Sequence, residues 1–297
     1  MKVKVYSASI TPFLADGSID CESMRRLVAR AVRHNLDGMF VAGSMGEWFA
    51  YSLDEREKLI RTAQSASRPG FEILAGIHAA TVAESIAFAD RLVDCPVAAY
   101  VLALPKKSFC PNPMQHLAEV AVAVDKPVYY YHCPSVNGID FSFSEFAGLV
   151  RLPNIAGIKN SASHMRLRKE LLMIKAEHDF VLLEGNEWAV DEAVLVGCDG
   201  VLCGSGALCG RLLRDIADAA AAGDVSTAVR RQRELIELFH AVYSLDISTA
   251  WVGEKYALYK LGAITAPLTK AQSMELLTPA RMRAVDACIA ANMEALL

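Results

Sequence analysis

Apolar residues along this chain fall into short runs rich in β-branched and aromatic side chains, set between longer stretches where apolar and charged positions recur every three to four residues. The short runs are 5–11 (VYSASIT), 38–43 (GMFVAG), 71–77 (FEILAGI), 97–104 (VAAYVLAL), 127–132 (PVYYYH), 155–159 (IAGIK), 180–185 (FVLLEG) and 200–204 (GVLCG), and each predicts a buried strand. Between them, 21–35, 52–66 and 83–93 predict amphipathic helices, the second opened by the capping-box pattern Ser52-x-x-Glu55. Strand and helix alternating about every thirty residues imply parallel strands joined by right-handed crossovers. Eight such units ending near residue 220 predict an α/β fold, a (β/α)8 (TIM) barrel over 1–220, followed by an all-helical C-terminal extension over 221–297. A dinucleotide-binding open sheet would place G-x-G-x-x-G after the first strand, where the chain has ITPFLADGS.

Composition narrows the chemistry. The 297 residues are 53% hydrophobic, enough for a large core, and the net charge of −4 is spread without a basic run to follow a phosphate backbone, so nucleic acid is not an expected partner. No apolar stretch approaches the ~18 residues of a membrane span, and MKVKVYSASITPF holds too short an apolar segment for a signal peptide, so a cytoplasmic location without membrane association is expected. The eight cysteines form no C-x-x-C pair and sit among apolar neighbours, which predicts buried free thiols. The seven histidines show no H-x-x-x-H or H-E-x-x-H spacing, and there is no G-x-x-x-x-G-K-[ST] loop. Neither a metal nor an organic cofactor is therefore expected.

In a barrel of this kind, reactive side chains collect at the C-terminal ends of different strands. Lys159 ends the sixth run, where it is either solvated or turned into the barrel mouth. In the mouth, desolvation would lower its pKa and expose a nucleophilic amine able to form a Schiff base with a ketone. Strand alternation sends Tyr129 and Tyr131 to one face and Tyr130 to the other, so these phenols are either core or proton carriers. The turn GSMG, after the second strand, offers successive backbone N–H groups and the Ser44 hydroxyl to a small carboxylate. Glu47 beside it either pins the loop or meets substrate.

Taken in order, ITPF with DGSID, GSMGEWFAYSLDERE, PVYYYHCPSVNG and GIKNSA resemble the dihydrodipicolinate synthase and N-acetylneuraminate lyase family of pyruvate-dependent class I aldolases, and LLEGNE, VGCDGVLCG and VGEKYALYKLG fall where that family has similar stretches. The resemblance implies a homotetramer of barrels in which Lys159 forms a Schiff base with pyruvate and Tyr131 relays protons. It further implies that Ser44 and Met45 bracket the keto-acid carboxylate, that the Leu202 carbonyl lines the same pocket, and that Ser161 and the stretch Gly185 to Glu187 face the variable part of the substrate. Three departures stand out. Met45 replaces a hydroxyl residue, Lys107 replaces a tyrosine that reaches a neighbouring subunit, and Val136 replaces the arginine that holds a second carboxylate in the synthases. The expected activity is a lyase that cleaves or forms a 2-keto acid with pyruvate as one partner, and not dihydrodipicolinate synthesis. The alternatives are a dehydratase or deaminase of 2-keto-3-deoxy sugar acids on the same imine, and a non-catalytic keto-acid binding protein.

Overall fold

The computed structural model describes residues 2–297. Its eight strands, β1 (Lys4–Ala8), β2 (Gly38–Val41), β3 (Glu72–Gly76), β4 (Ala99–Ala103), β5 (Val128–His132), β6 (Ile155–Asn160), β7 (Val181–Glu184) and β8 (Gly200–Cys203), are parallel and close into a barrel in sequence order. All eight expected runs became strands, most of them trimmed at one or both ends, although β1 starts one residue earlier than expected and β6 runs one residue further. Residues 9–11, for example, leave the ladder after the Ser9 N–H has reached the Phe40 carbonyl at 2.9 Å.

The helices are α1 (Cys21–Arg33), α2 (Leu53–Ala66), α3 (Val82–Asp90), α4 (Pro113–Ala123), the one-turn α5 (Pro134–Asn137), α6 (Phe143–Leu149), α7 (Met165–Lys175), α8 (Val190–Leu195) and α9 (Gly206–Ala221). Their starts follow local chemistry. Asp20 caps α1, and capping boxes open α2 (Ser52, Glu55), α3 (Thr81, Glu84) and α6 (Ser142, Glu145), satisfying N–H groups that have no partner in the first turn.

Alternation along the strands builds two apolar layers. Tyr6, Ala8, Phe40, Leu74, Val101, Tyr131, Leu183 and Leu202 fill the barrel, while Tyr130 on the other face packs outward, on Phe141 just before α6 for instance. Across β5 and β6, Tyr129 pairs with Gly157 and Tyr131 with Lys159, so the phenol and the amine share the inward face near the top of the barrel.

The C-terminal part adds α10 (Val225–Tyr243), α11 (Ala250–Lys260), α12 (Pro279–Ala291) and α13 (Met293–Leu296). It departs from an all-helical extension at 261–278, which has no helix beyond one 3₁₀ turn at Met274–Leu276. The eight cysteines are free, as expected, although Cys21 and Cys288 are only half-buried. No helix among the described residues is long and apolar enough to cross a membrane.

Candidate active site

The C-terminal strand ends surround a cavity of about 280 Å³ lined by Ser44, Met45, Tyr131, Lys159, Ser161, Gly185 and Glu187, among others. Seven of the nine site residues expected from the sequence thus meet in one place. Lys159 is not solvated. It is 4% exposed, with Nζ 3.9 Å from the ring centroid of Tyr131 and 5.3 Å from that of Phe40. Burial removes the water that would stabilise an ammonium, and it holds the Lys159 amine down to about 8, so a neutral fraction exists near pH 7. Burial pushes the Tyr131 phenol upward, so it keeps its proton, while the Ser44 and Ser161 side chains beside it pull the other way. Gly185 makes room for the amine: a Cβ there would come within 2.9 Å of Lys159 Cε and would overlap Ser161 Oγ.

Ser44 and Met45 sit on a turn whose shape depends on Glu47. Ala42 and Glu47 both adopt positive φ, 60° and 56°, and the Glu47 N–H closes on the Ser44 carbonyl at 3.0 Å. The Glu47 carboxylate points away from the cavity. It pairs with the fully buried Lys255 and accepts hydrogen bonds from Thr269 Oγ1 (2.8 Å) and from the Lys270 and Ala271 N–H groups (2.6 and 2.8 Å). Of its two possible roles, it pins the turn. Trp251 adds a second tie, its Nε1 donating to the Ser44 carbonyl at 3.3 Å.

Glu187 lines the cavity with Oε1 accepting the Ser205 N–H at 2.9 Å, and burial raises its carboxyl above the usual range. His78, near the same end, is no base: burial holds its ring down to about 3, and its Nδ1 accepts the Ala103 N–H at 2.8 Å.

Leu202 and Lys107 do not line the cavity. Leu202 lies deeper in β8, fully buried in the barrel interior, and Gly204 takes the place at the wall. Lys107 lies in an exposed 3₁₀ turn, Lys107–Phe109, packed toward Gly138. Val136 is 62% exposed on α5 and is likewise absent from the lining. Sequence reasoning missed the outer wall, made by Trp188, Phe239, Tyr243, Ile247 and Trp251. The available signal was the Phe239/Tyr243 spacing of four residues on α10, which stacks the two rings at 4.4 Å.

A closed parallel barrel with a desolvated lysine at the C-terminal mouth defines a class of barrel proteins equipped for imine chemistry. The chain belongs to the dihydrodipicolinate synthetase family, whose model matches residues 1–283. It is 28% identical over 267 residues to a 4-hydroxy-tetrahydrodipicolinate synthase of Moorella thermoacetica, covering 89% of this chain and 90% of that protein. It is 27% identical over 269 residues to an N-acetylneuraminate lyase of Enterobacter sp., covering 90% and 89%. The fold also matches the crystal structure of a chloride-inhibited dihydrodipicolinate synthase from Acinetobacter baumannii complexed with pyruvate, with a TM-score of 0.86, 21% identity and 98% of each chain covered.

Proposed function

We propose that the protein is a class I aldolase that cleaves or forms a 2-keto acid, with pyruvate as one partner. The observation that carries this reading is the buried Lys159 amine, held near neutrality at the head of a cavity that also holds a protonated phenol. In the cleavage direction the neutral amine adds to C2 of the keto acid and water leaves, giving a protonated imine. The C3–C4 bond then breaks, its electron pair passing to C3 to form an enamine, while the C4 hydroxyl gives up its proton and becomes an aldehyde carbonyl. Tyr131 is the carrier for that proton. Protonation at C3 and addition of water release pyruvate and restore the amine. Ser44 and the backbone N–H groups of the 44–45 turn are the donors for the keto-acid carboxylate.

The second reading, loss of a hydroxyl as water from the same imine, draws on Glu187. A carboxyl in the cavity wall whose pKa burial raises is better suited than a free one to carry a proton to a leaving hydroxyl. Measuring free pyruvate and aldehyde against unsaturated or rearranged keto acid separates the two.

The imine itself is tested by borohydride reduction in the presence of pyruvate. The expected result is one covalent adduct per chain on Lys159, located by peptide mass spectrometry and lost in Lys159→Ala. An adduct that persists in that variant rules the assignment out.

A further inference from the structure

The bond that an imine on Lys159 weakens is C3–C4 of the keto acid, and what sits at C4 decides how it breaks. When C4 carries a hydroxyl, that hydroxyl must lose a proton as it becomes an aldehyde, so a base has to accept it. When C4 is itself a carboxylate carbon, no base is needed. The C3–C4 pair becomes the C2–C3 double bond, the C2=N pair moves onto nitrogen, and CO2 departs from a neutral enamine.

The groups around the amine are better placed to give protons than to take them. Tyr131, 6% exposed, keeps its phenol proton because burial pushes it upward, so it is ready to donate to C3 and must be emptied before it can accept from a hydroxyl. His78, its ring centroid 6.5 Å from that of Tyr131, has its Nδ1 lone pair occupied by the Ala103 N–H. Glu187 has Oε1 occupied by the Ser205 N–H, and burial raises its carboxyl above the usual range. Lys159, held to about 8 by burial, supplies the neutral amine that starts the imine. Loss of CO2 uses this distribution of protons as it stands.

The walls favour the same outcome. With the C1 carboxylate on the 44–45 turn and C2 on Lys159, the C4 end falls to the rest of the lining, which includes Ser161, Asn186, Trp188, Ile247 and Trp251. Among the described residues, Lys159 is the only lysine, arginine or histidine in that lining, and imine formation carries its charge into the iminium. Glu187, the one carboxyl there, adds no positive charge in either protonation state. A second carboxylate thus exchanges water for hydroxyls, an amide and aromatic faces, a loss that uncharged CO2 does not feel. Because the carboxylate and the iminium lose their charges together, a wall that solvates ions poorly lowers the barrier to their collapse.

We propose that the same lysine gives the protein a second activity: decarboxylation of 2-keto acids that bear a carboxylate directly on C3, with oxaloacetate as the simplest case. The amine adds to C2 and water leaves; the C3–C4 bond breaks and CO2 departs. Tyr131 protonates C3 and regains its proton from solvent, and water then adds to C2 and releases pyruvate and the free amine. One proton is taken up for each CO2 released. The inference rests on the keto-acid reading of this cavity and extends its leaving half from an aldehyde to CO2.

The test is release of CO2 and pyruvate from oxaloacetate by the purified protein, with a chelator present so that free metal ions do not decarboxylate the substrate. Wild type is expected to run well above Lys159→Ala, which should match buffer alone. Borohydride added during turnover should leave on Lys159 the pyruvate-derived adduct, lighter by one CO2 than the adduct of intact oxaloacetate. 2-Oxoglutarate, whose second carboxylate sits one carbon further away, should yield no CO2. Tyr131→Phe should still release CO2 in a single turnover within about tenfold of the wild-type rate, since the phenol acts only after the bond has broken. Ile247→Lys, which brings a cation to the wall, should lower both KM and kcat for oxaloacetate by about threefold or more, because it stabilises the bound carboxylate that must be lost. Coinciding rates for wild type and Lys159→Ala, an adduct that keeps all the carbons of oxaloacetate, CO2 from 2-oxoglutarate, a Tyr131→Phe variant that forms the imine without releasing CO2, or an Ile247→Lys variant with a higher kcat would each overturn the proposal. Trapping with pyruvate separates this from the reading beneath it: no pyruvate adduct in wild type removes the keto-acid reading, while a normal pyruvate adduct without CO2 from oxaloacetate removes only the decarboxylation.

Discussion

An ammonium enclosed as Lys159 is enclosed forgoes its hydration, and the compensation around it comes from the Tyr131 and Phe40 rings and the nearby Glu187 carboxyl. That makes the residue a liability for folding as well as a candidate nucleophile. Its folded pKa of about 8 lies below the unfolded 10.5. The unfolded chain therefore binds more protons between those values, and stability rises with pH across that window. Below about pH 8 both states carry the proton, and the penalty, roughly 3 kcal/mol at most, stands in full. Lys159→Met, similar in volume and uncharged, is expected to be more stable than wild type by about 1–3 kcal/mol at pH 7, with the gap narrowing from pH 8 toward 10.5. Urea unfolding at pH 7 and 9.5 measures it, and a methionine variant less stable at pH 7 would contradict the account. Lys255 is shifted in the same direction, to about 8, but it is common to both proteins and cancels from the difference.

At the scale of elements, Glu47 and Lys255 form the joint between the barrel and the C-terminal helices. The joint also explains an element that could not be read in advance. Segment 261–278 dispenses with helical hydrogen bonds partly because the Lys270 and Ala271 N–H groups donate to a carboxylate more than two hundred residues earlier, at |i−j| of 223 and 224. No local pattern reports such a partner. The strands, by contrast, each carry their own apolar run and turn signals, which is why all eight were legible. The α10 wall was not, because a Phe239/Tyr243 pair marks an apolar helical face but leaves unsaid what the face meets. Glu47→Gln leaves Lys255 buried without its counter-ion and is expected to cost about 3–5 kcal/mol, part of it recovered in Glu47→Gln/Lys255→Met. Thermal unfolding gives the loss, and hydrogen exchange should show the 270 and 271 amides losing protection first.

For the molecule as a whole, the charge map of the cavity bears on the acceptor. Val136 supplies no cation, and Lys107 does not line the cavity. Condensation of pyruvate with aspartate semialdehyde is therefore expected to be negligible, and a kcat/KM of about 10⁴ M⁻¹s⁻¹ or more in a coupled assay would overturn that expectation. The closure of the barrel has a consequence in time. β1 finds one of its two neighbours, β8, only after Cys203 has been made, and the turn at 44–47 finds its anchor only after Ala271 has been made. At about 5–20 residues per second, a ribosome takes at least ten seconds to cover that interval, during which β1 is an unpaired edge on an unfinished sheet. The cavity is thus a late product of synthesis: its strands are complete only once Cys203 has been made, and the turn at 44–47 gains its anchor some seventy residues later still, with Ala271.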